Sequence, residues 1–202
     1  LEMPFISNGT TILDNGAFSV SLGNQVLISE QTASASASIS FTSGIDSTYP
    51  IYKFEFINIH PATNDASFQV NFSTDGGSNY NVTKTTTNFR AYQNEAGTDT
   101  SLEYFSSEDL AQSTSDQIIG RKIGNDNDKC FAGTLTIFNP SSDTFVKHFI
   151  VNSNTLEGGN YFNNYYIAGY GNTTSAINAV RFQFSSGNID DGTIKLYGIK
   201  DS

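Results

Sequence analysis

Few side chains in this sequence stand where chemistry is usually done. His60 and His148 are its two histidines. They fall on different predicted strands without a spaced metal motif, so each reads as a partly exposed strand residue. Cys130, in Lys129-Cys130-Phe131-Ala132, is the single cysteine. It reads as a buried strand residue, and no intrachain disulfide is available. A nucleophile-base-carboxylate triad assembles across a fold, and no Gly-x-Ser-x-Gly elbow marks one here. A glycosidase needs two carboxylates facing across a cleft. Glu55 sits inside an aromatic strand near Lys53, while Glu103, Glu108 and Asp109 cluster in the middle of the chain. No residue is assigned a catalytic role, and a non-enzymatic protein is expected.

Two kinds of binding chemistry fit the remaining candidates. Hard oxygen ligands on loops suit calcium. Asp126-Asn127-Asp128 and the loop Asn188 to Asp191 supply them, with Asp126, Asp128, Asp190 and Asp191 as candidate ligands and a plain solvated turn as the competing reading. A glycan site needs aromatic platforms flanked by amides or carboxylates. Tyr161, Asn163 and Tyr165 have that make-up, as does Tyr80 between Asn79 and Asn81. Core packing or a subunit contact explains the same residues equally well.

The totals narrow the classes. The chain has 202 residues and a formal net charge of -10, which disfavours nonspecific binding to nucleic acid or an anionic membrane. No apolar run is long enough to span a bilayer as a helix, so membrane insertion is not expected. Charged residues make up only 15%, against 16 Phe and 10 Tyr. Ser, Thr, Asn and Gly take the polar positions, a composition of strands and turns rather than of surface helices. Asn71-Phe72-Ser73 matches the glycosylation pattern, but it lies within a predicted strand.

The elements that must position these residues follow from period-two alternation. Ile177 to Ile199 predicts a terminal hairpin: Val180, Phe182 and Phe184 alternate with polar residues, a turn runs from Ser186 to Gly192, and Ile194 and Leu196 resume the alternation. Such apolar strands need cover, which predicts a second sheet. Ile51 to His60 is a strand whose alternation breaks, because Tyr52, Phe54 and Phe56 share one face while Ile57 and Ile59 fall on the other. Both faces are covered, or a bulge shifts the phase. Phe68, Val70 and Phe72 line another strand, and Asp75-Gly76 predicts a hairpin into weaker strands at Tyr80–Thr87 and Phe89–Tyr92. Thr32 to Phe41 reads as a strand of small residues against a close neighbour. Ser101 to Ala111 is either one short helix or a structured loop. Cys130–Phe138 and Thr144–Val151 pair with each other, and Tyr165–Tyr170 forms a further strand. Residues 1–27, with Phe18 to Leu22 alternating, read as a short β arm or attachment segment before one domain at 28–202. The class is all-β: an antiparallel β-sandwich, expected to be a jelly roll.

Three blocks carry a resemblance. Leu135-Thr136-Ile137-Phe138-Asn139-Pro140-Ser141-Ser142-Asp143-Thr144-Phe145-Val146-Lys147-His148-Phe149 is the first. Ala168-Gly169-Tyr170-Gly171-Asn172-Thr173-Thr174-Ser175-Ala176-Ile177 is the second. The third is Phe184-Ser185-Ser186-Gly187-Asn188-Ile189 with Gly192-Thr193-Ile194-Lys195-Leu196-Tyr197-Gly198-Ile199. In order and spacing they resemble virion structural proteins of tailed, especially marine, bacteriophages, from about Ile28 onward. The resemblance implies a tail-fibre or capsid-decoration module located in the virion. Its expected partners are other virion proteins, copies of itself (a homotrimer favoured), and a host surface glycan. It carries over no catalytic residue and no cofactor. A carbohydrate-binding receptor-recognition module is the alternative, with a glycan depolymerase behind it.

Overall fold

A computed structural model describes residues 5–7, 10–14, 17–18 and 24–200. Three short strands, β1 (Phe5–Ser7), β2 (Thr10–Asp14) and β3 (Ala17–Phe18), pair among themselves. Residues 19–22 of the arm's expected strand lie outside the described residues. The body is a sandwich of two antiparallel sheets. Its strands are β4 (Gln25–Thr32), β5 (Ile39–Phe41), β6 (Ile51–Pro61), β7 (Ala66–Ser73), β8 (Lys84–Asn94), β9 (Thr100–Tyr104), β10 (Gln117–Ile123), β11 (Phe131–Phe138), β12 (Lys147–Leu156), β13 (Tyr161–Gly171), β14 (Ala179–Phe184) and β15 (Ile189–Ile199). The smaller sheet has the order β10-β7-β14-β5, the larger β4-β15-β6-β11-β12-β13-β8-β9.

Pairing is nested. β4 lies beside β15, β5 beside β14, β6 beside β15 and β11, and β7 beside β14 and β10. The chain changes sheet at most connections, and β8, β9, β12 and β13 widen the larger sheet beyond β11. Phenylalanines from both sheets fill the space between them. Phe182 meets Phe54 and Phe56 edge-to-face at 5.1 Å each, and Phe68 meets Phe131 at 4.9 Å. Each such pair adds about 1 kcal/mol beyond burial of its area.

Several expected elements differ. Ile177–Ile199 is not a hairpin: β14 belongs to the smaller sheet and β15 to the larger, with the Ser186–Asn188 turn crossing between them. Both strands alternate as expected, but their apolar faces approach the same core from opposite sides. The Asp75-Gly76 turn likewise leads from β7 across to β8, and the two weaker strands there are one long strand. The small-residue stretch breaks at Ala33–Ser38, where Ala35 takes φ +50° and the chain turns the corner between sheets. Ser101 to Ala111 holds the end of β9 and one 3₁₀ turn, Ser106–Glu108, not a helix.

The broken alternation of β6 is a bulge. Asn58 takes φ +52°, Ile57 turns outward at 41% exposure, and Ile59 returns to the core. The register against both β11 and β15 slips there. At one end of the body Gln25 pairs with Ile199, and the Lys200 N–H donates to the Asn24 carbonyl at 2.8 Å.

Candidate functional site

The widened part of the larger sheet has two unlike faces. Outward residues on β11, β12, β13, β8 and β9 include no Asp, Glu, Lys or Arg. They include Phe89, Leu102, Tyr104, Ile150, Phe162 and Tyr166, all at least 40% exposed. Phe89 and Tyr166 stack in the open, 5.1 Å apart and 12° from parallel. The short side chains of Thr87 and Ala168 leave two shallow apolar grooves on either side of Ile150. One, of about 400 Å³, reaches Phe138, His148 and Tyr170; the other, of about 200 Å³, reaches Phe89 and Tyr166. The other half of this outer surface is charged, with ion pairs Lys53–Glu55 at 2.8 Å and Lys195–Glu30 at 3.0 Å. Large exposed apolar side chains gathered on one uncharged face are the kind of surface that serves as an interaction site.

Inward, β11 and most of β12 and β13 carry core residues such as Leu135, Ile137, Phe149, Val151 and Ile167, while β8, with the ends of β12 and β13 beside it, turns polar side chains inward. Arg90 lies between Glu103 and Glu157, at 2.7 and 3.3 Å, and donates to Asn163 Oδ1 at 3.0 Å. Its guanidinium lies over Phe105 (4.4 Å) and Tyr92 (4.9 Å). Burial pushes the Glu157 carboxyl up, with Arg90 acting against it. At the rim Tyr92 and Tyr161 meet edge-to-face at 5.7 Å, and Tyr161 donates to Asp99 at 3.1 Å. Arg90, Tyr92, Asp99, Glu157 and Tyr161 line a mouth of about 230 Å³.

This arrangement corrects the expected glycan platform. Tyr161, Asn163 and Tyr165 do share one face of β13, but it points inward: Asn163 and Tyr165 are 0% and 1% exposed and cannot meet a ligand. Only Tyr161 reaches the rim. Tyr80 belongs elsewhere, with the Arg181 guanidinium 4.6 Å from its ring. Arg90 was not singled out in the sequence. Its signal is a cation in mid-strand among Thr, Asn and aromatic residues, with Lys84 the other cation of β8.

The two acidic loops do converge. Asp128, Asp190 and Asp191 line a pocket of about 360 Å³ with Asn58, His60 and Cys130. Asp126 is bound by Lys129 Nζ at 2.8 Å. Among the described residues no group of three or more His, Cys, Asp or Glu is placed to hold a metal ion. His60 has Nε2 3.3 Å from the Asp126 carbonyl, and its Nδ1 lies 3.6 Å from Asp190, too far for a hydrogen bond. Cys130 is half-buried just ahead of β11, and burial raises its thiol. A thiol raised by burial is not an activated nucleophile.

Comparison of the chain with protein-family models, with curated proteins and with solved structures found no match.

Proposed function

We propose that this protein is a non-enzymatic structural module of a bacteriophage virion, of the tail-fibre or capsid-decoration kind, that assembles with copies of itself. The observation that carries the self-assembly is the charge-free outer face of β11, β12, β13, β8 and β9. On a chain of net charge -10, an uncharged face is where two copies approach with least repulsion. Strands of 8, 10, 11, 11 and 5 residues, at about 3.3 Å per residue and about 4.8 Å apart, present roughly 700 Å², close to what one partner contributes to a standard interface. A second copy therefore suits the face in both area and charge. The three sequence blocks support the virion setting, and a homotrimer is the favoured assembly. Nested pairing of β4 with β15, β5 with β14, β6 with β11 and β7 with β10 supports reading the sandwich as a jelly roll.

The test is the solution mass of the chain by sedimentation. The wild type is expected to be oligomeric, and Ile150→Glu with Tyr166→Glu to be monomeric with an unchanged thermal midpoint, since both side chains point outward. A wild type that stays monomeric at all concentrations overturns the assembly reading. Labelling of intact particles by an antibody to the chain tests the location.

A second reading rests on the tyrosine rim: Tyr92 and Tyr161, with Asp99 between their hydroxyls, offer an aromatic edge and a carboxylate to a neutral glycan. A glycan array probed with the intact oligomer tests it. Binding lost in Tyr161→Ala supports it, and an array without hits ends it.

A further inference from the structure

Lys84 is fully buried, 0% exposed, and is the first residue of β8 after the crossing from β7. A lysine in such a place needs a reason, because its charge is removed from water. Its Nζ donates to Asn71 Oδ1 at 2.6 Å and to the Val82 carbonyl at 2.8 Å. Asn71 is also buried, at 2% exposure, on β7 in the opposite sheet. No carboxylate contacts the amine directly, so this is not a buried ion pair.

The orientation of the Asn71 amide is fixed from both ends. Its Nδ2 lies 3.0 Å from the Thr114 carbonyl and 2.9 Å from Asp116 Oδ1, groups that accept hydrogen bonds. Its Oδ1 receives the Phe72 N–H at 2.9 Å as well as Lys84. Asp116 is in turn held by Gln183 Nε2 at 3.0 Å and by Arg181 at 3.4 Å. The amide therefore has a backbone donor on its oxygen, a carboxylate on its nitrogen and a primary amine beside its carbonyl. These are the parts of an acyl transfer: nucleophile, oxyanion donor and proton carrier at the leaving group.

We infer that Lys84 and Asn71 join in an intramolecular isopeptide bond, with Asp116 as the proton carrier. The neutral Lys84 amine adds through Nζ to Asn71 Cγ. Negative charge collects on Oδ1, where the Phe72 N–H stabilises it. The Cγ–Nδ2 bond then breaks, and one proton from the attacking nitrogen passes by way of Asp116 to the departing nitrogen. Ammonia leaves, an amide replaces an amide, and nothing is oxidised or reduced. Burial favours the neutral amine, lowering the Lys84 amine to about 8, with Asp116 acting in the other direction. The product ties β7 to β8, and so one sheet to the other, through the interior.

Mass spectrometry of the full chain decides the matter. The wild type is expected to weigh one ammonia less than its sequence. Trypsin then fails to cut after Lys84, and the fragment spanning 54–90 carries the loss. Lys84→Met, which fits the same apolar slot, keeps its full mass with an unchanged β-sheet spectrum. Asp116→Asn forms the link at least about 100-fold more slowly, the usual weight of a positioned proton carrier. A wild type at full mass that is cleaved after Lys84 overturns the inference. So does a chain that has lost ammonia but is still cut there, since that loss would be a succinimide at Asn71. Linking of Asp116→Asn at the wild-type rate removes Asp116 from its role.

Discussion

Arg90 shows what one half-buried cation does for this sheet. It answers two carboxylates and holds Asn163 in place behind the tyrosine rim. Arg90→Ala would leave Glu103 and Glu157 without that cation, and is expected to cost about 1.5–3 kcal/mol in urea unfolding. Arg90→Lys should recover only part of this, because an ammonium cannot span the same fork of acceptors. Tyr165, directly across from Arg90 on β13, gives a second test. Burial pushes its phenol up to about 12, with Glu157 adding to the rise and Arg90 opposing it. In the unfolded chain a tyrosine ionises near about 10. Between these two values the unfolded chain sheds a proton that the folded one keeps, so stability falls as pH rises through that window. Tyr165→Phe makes this slope shallower, leaving the part due to Tyr52 and Tyr161, whose phenols are also raised, measured as the urea midpoint on either side of about pH 11. The sequence singled out Tyr161, Asn163 and Tyr165 by residue type and began the strand at Tyr165; that all three share one side of β13 is seen only in the structure. Which side faces water depends on Arg90 and Phe105, residues supplied by other parts of the chain.

At the level of elements, the bulge in β6 has a matching irregularity in β15. Gly192 takes φ +118°, and a Cβ there would lie 2.6 Å from the Asn58 carbonyl and 2.7 Å from Ile59 Cα. Backbone, not a movable side chain, would be struck. Gly192→Ala is therefore expected to lower stability by about 2–4 kcal/mol, from strained φ and the clash together. Asn58→Gly, which relaxes a positive φ, is expected to stay within about 1 kcal/mol of wild type. Thermal unfolding of the two variants makes the comparison. Strand positions and buried faces were legible in the sequence because alternation is a local signal: Phe68, Val70 and Phe72 are all buried, and the slip in alternation at Ile57 marked the bulge. Connectivity was less so. The Ser186–Asn188 and Asp75–Gly77 turns have the composition of hairpin turns, yet both cross between sheets. The alternation of an apolar face is the same whether its strand neighbours the preceding one or opposes it across a core. What decides is which earlier strand stands ready as a partner, β7 for β14 and β6 for β15, and that information is spread over a hundred residues or more of chain.

For the whole molecule, charge is partitioned: the outer face of β11, β12, β13, β8 and β9 holds none, while the net of -10 is spread over the remainder. Association through that face should strengthen with added salt, because screening weakens repulsion between like-charged bodies while apolar burial is undiminished. Sedimentation across a range of sodium chloride concentrations is expected to show a rising association constant, and a falling one would point to ion pairs at the contact. The closing of the body at one point has a mechanical consequence. Asn24 and Lys200 are hydrogen-bonded neighbours, so the first and last strands of the sandwich open from one point. A pull between those ends would peel β4 from β15 one pair at a time, as a zipper opens, and would load the Phe-filled interior only after that seam had parted. Under such a pull the seam would yield first and the interior after it.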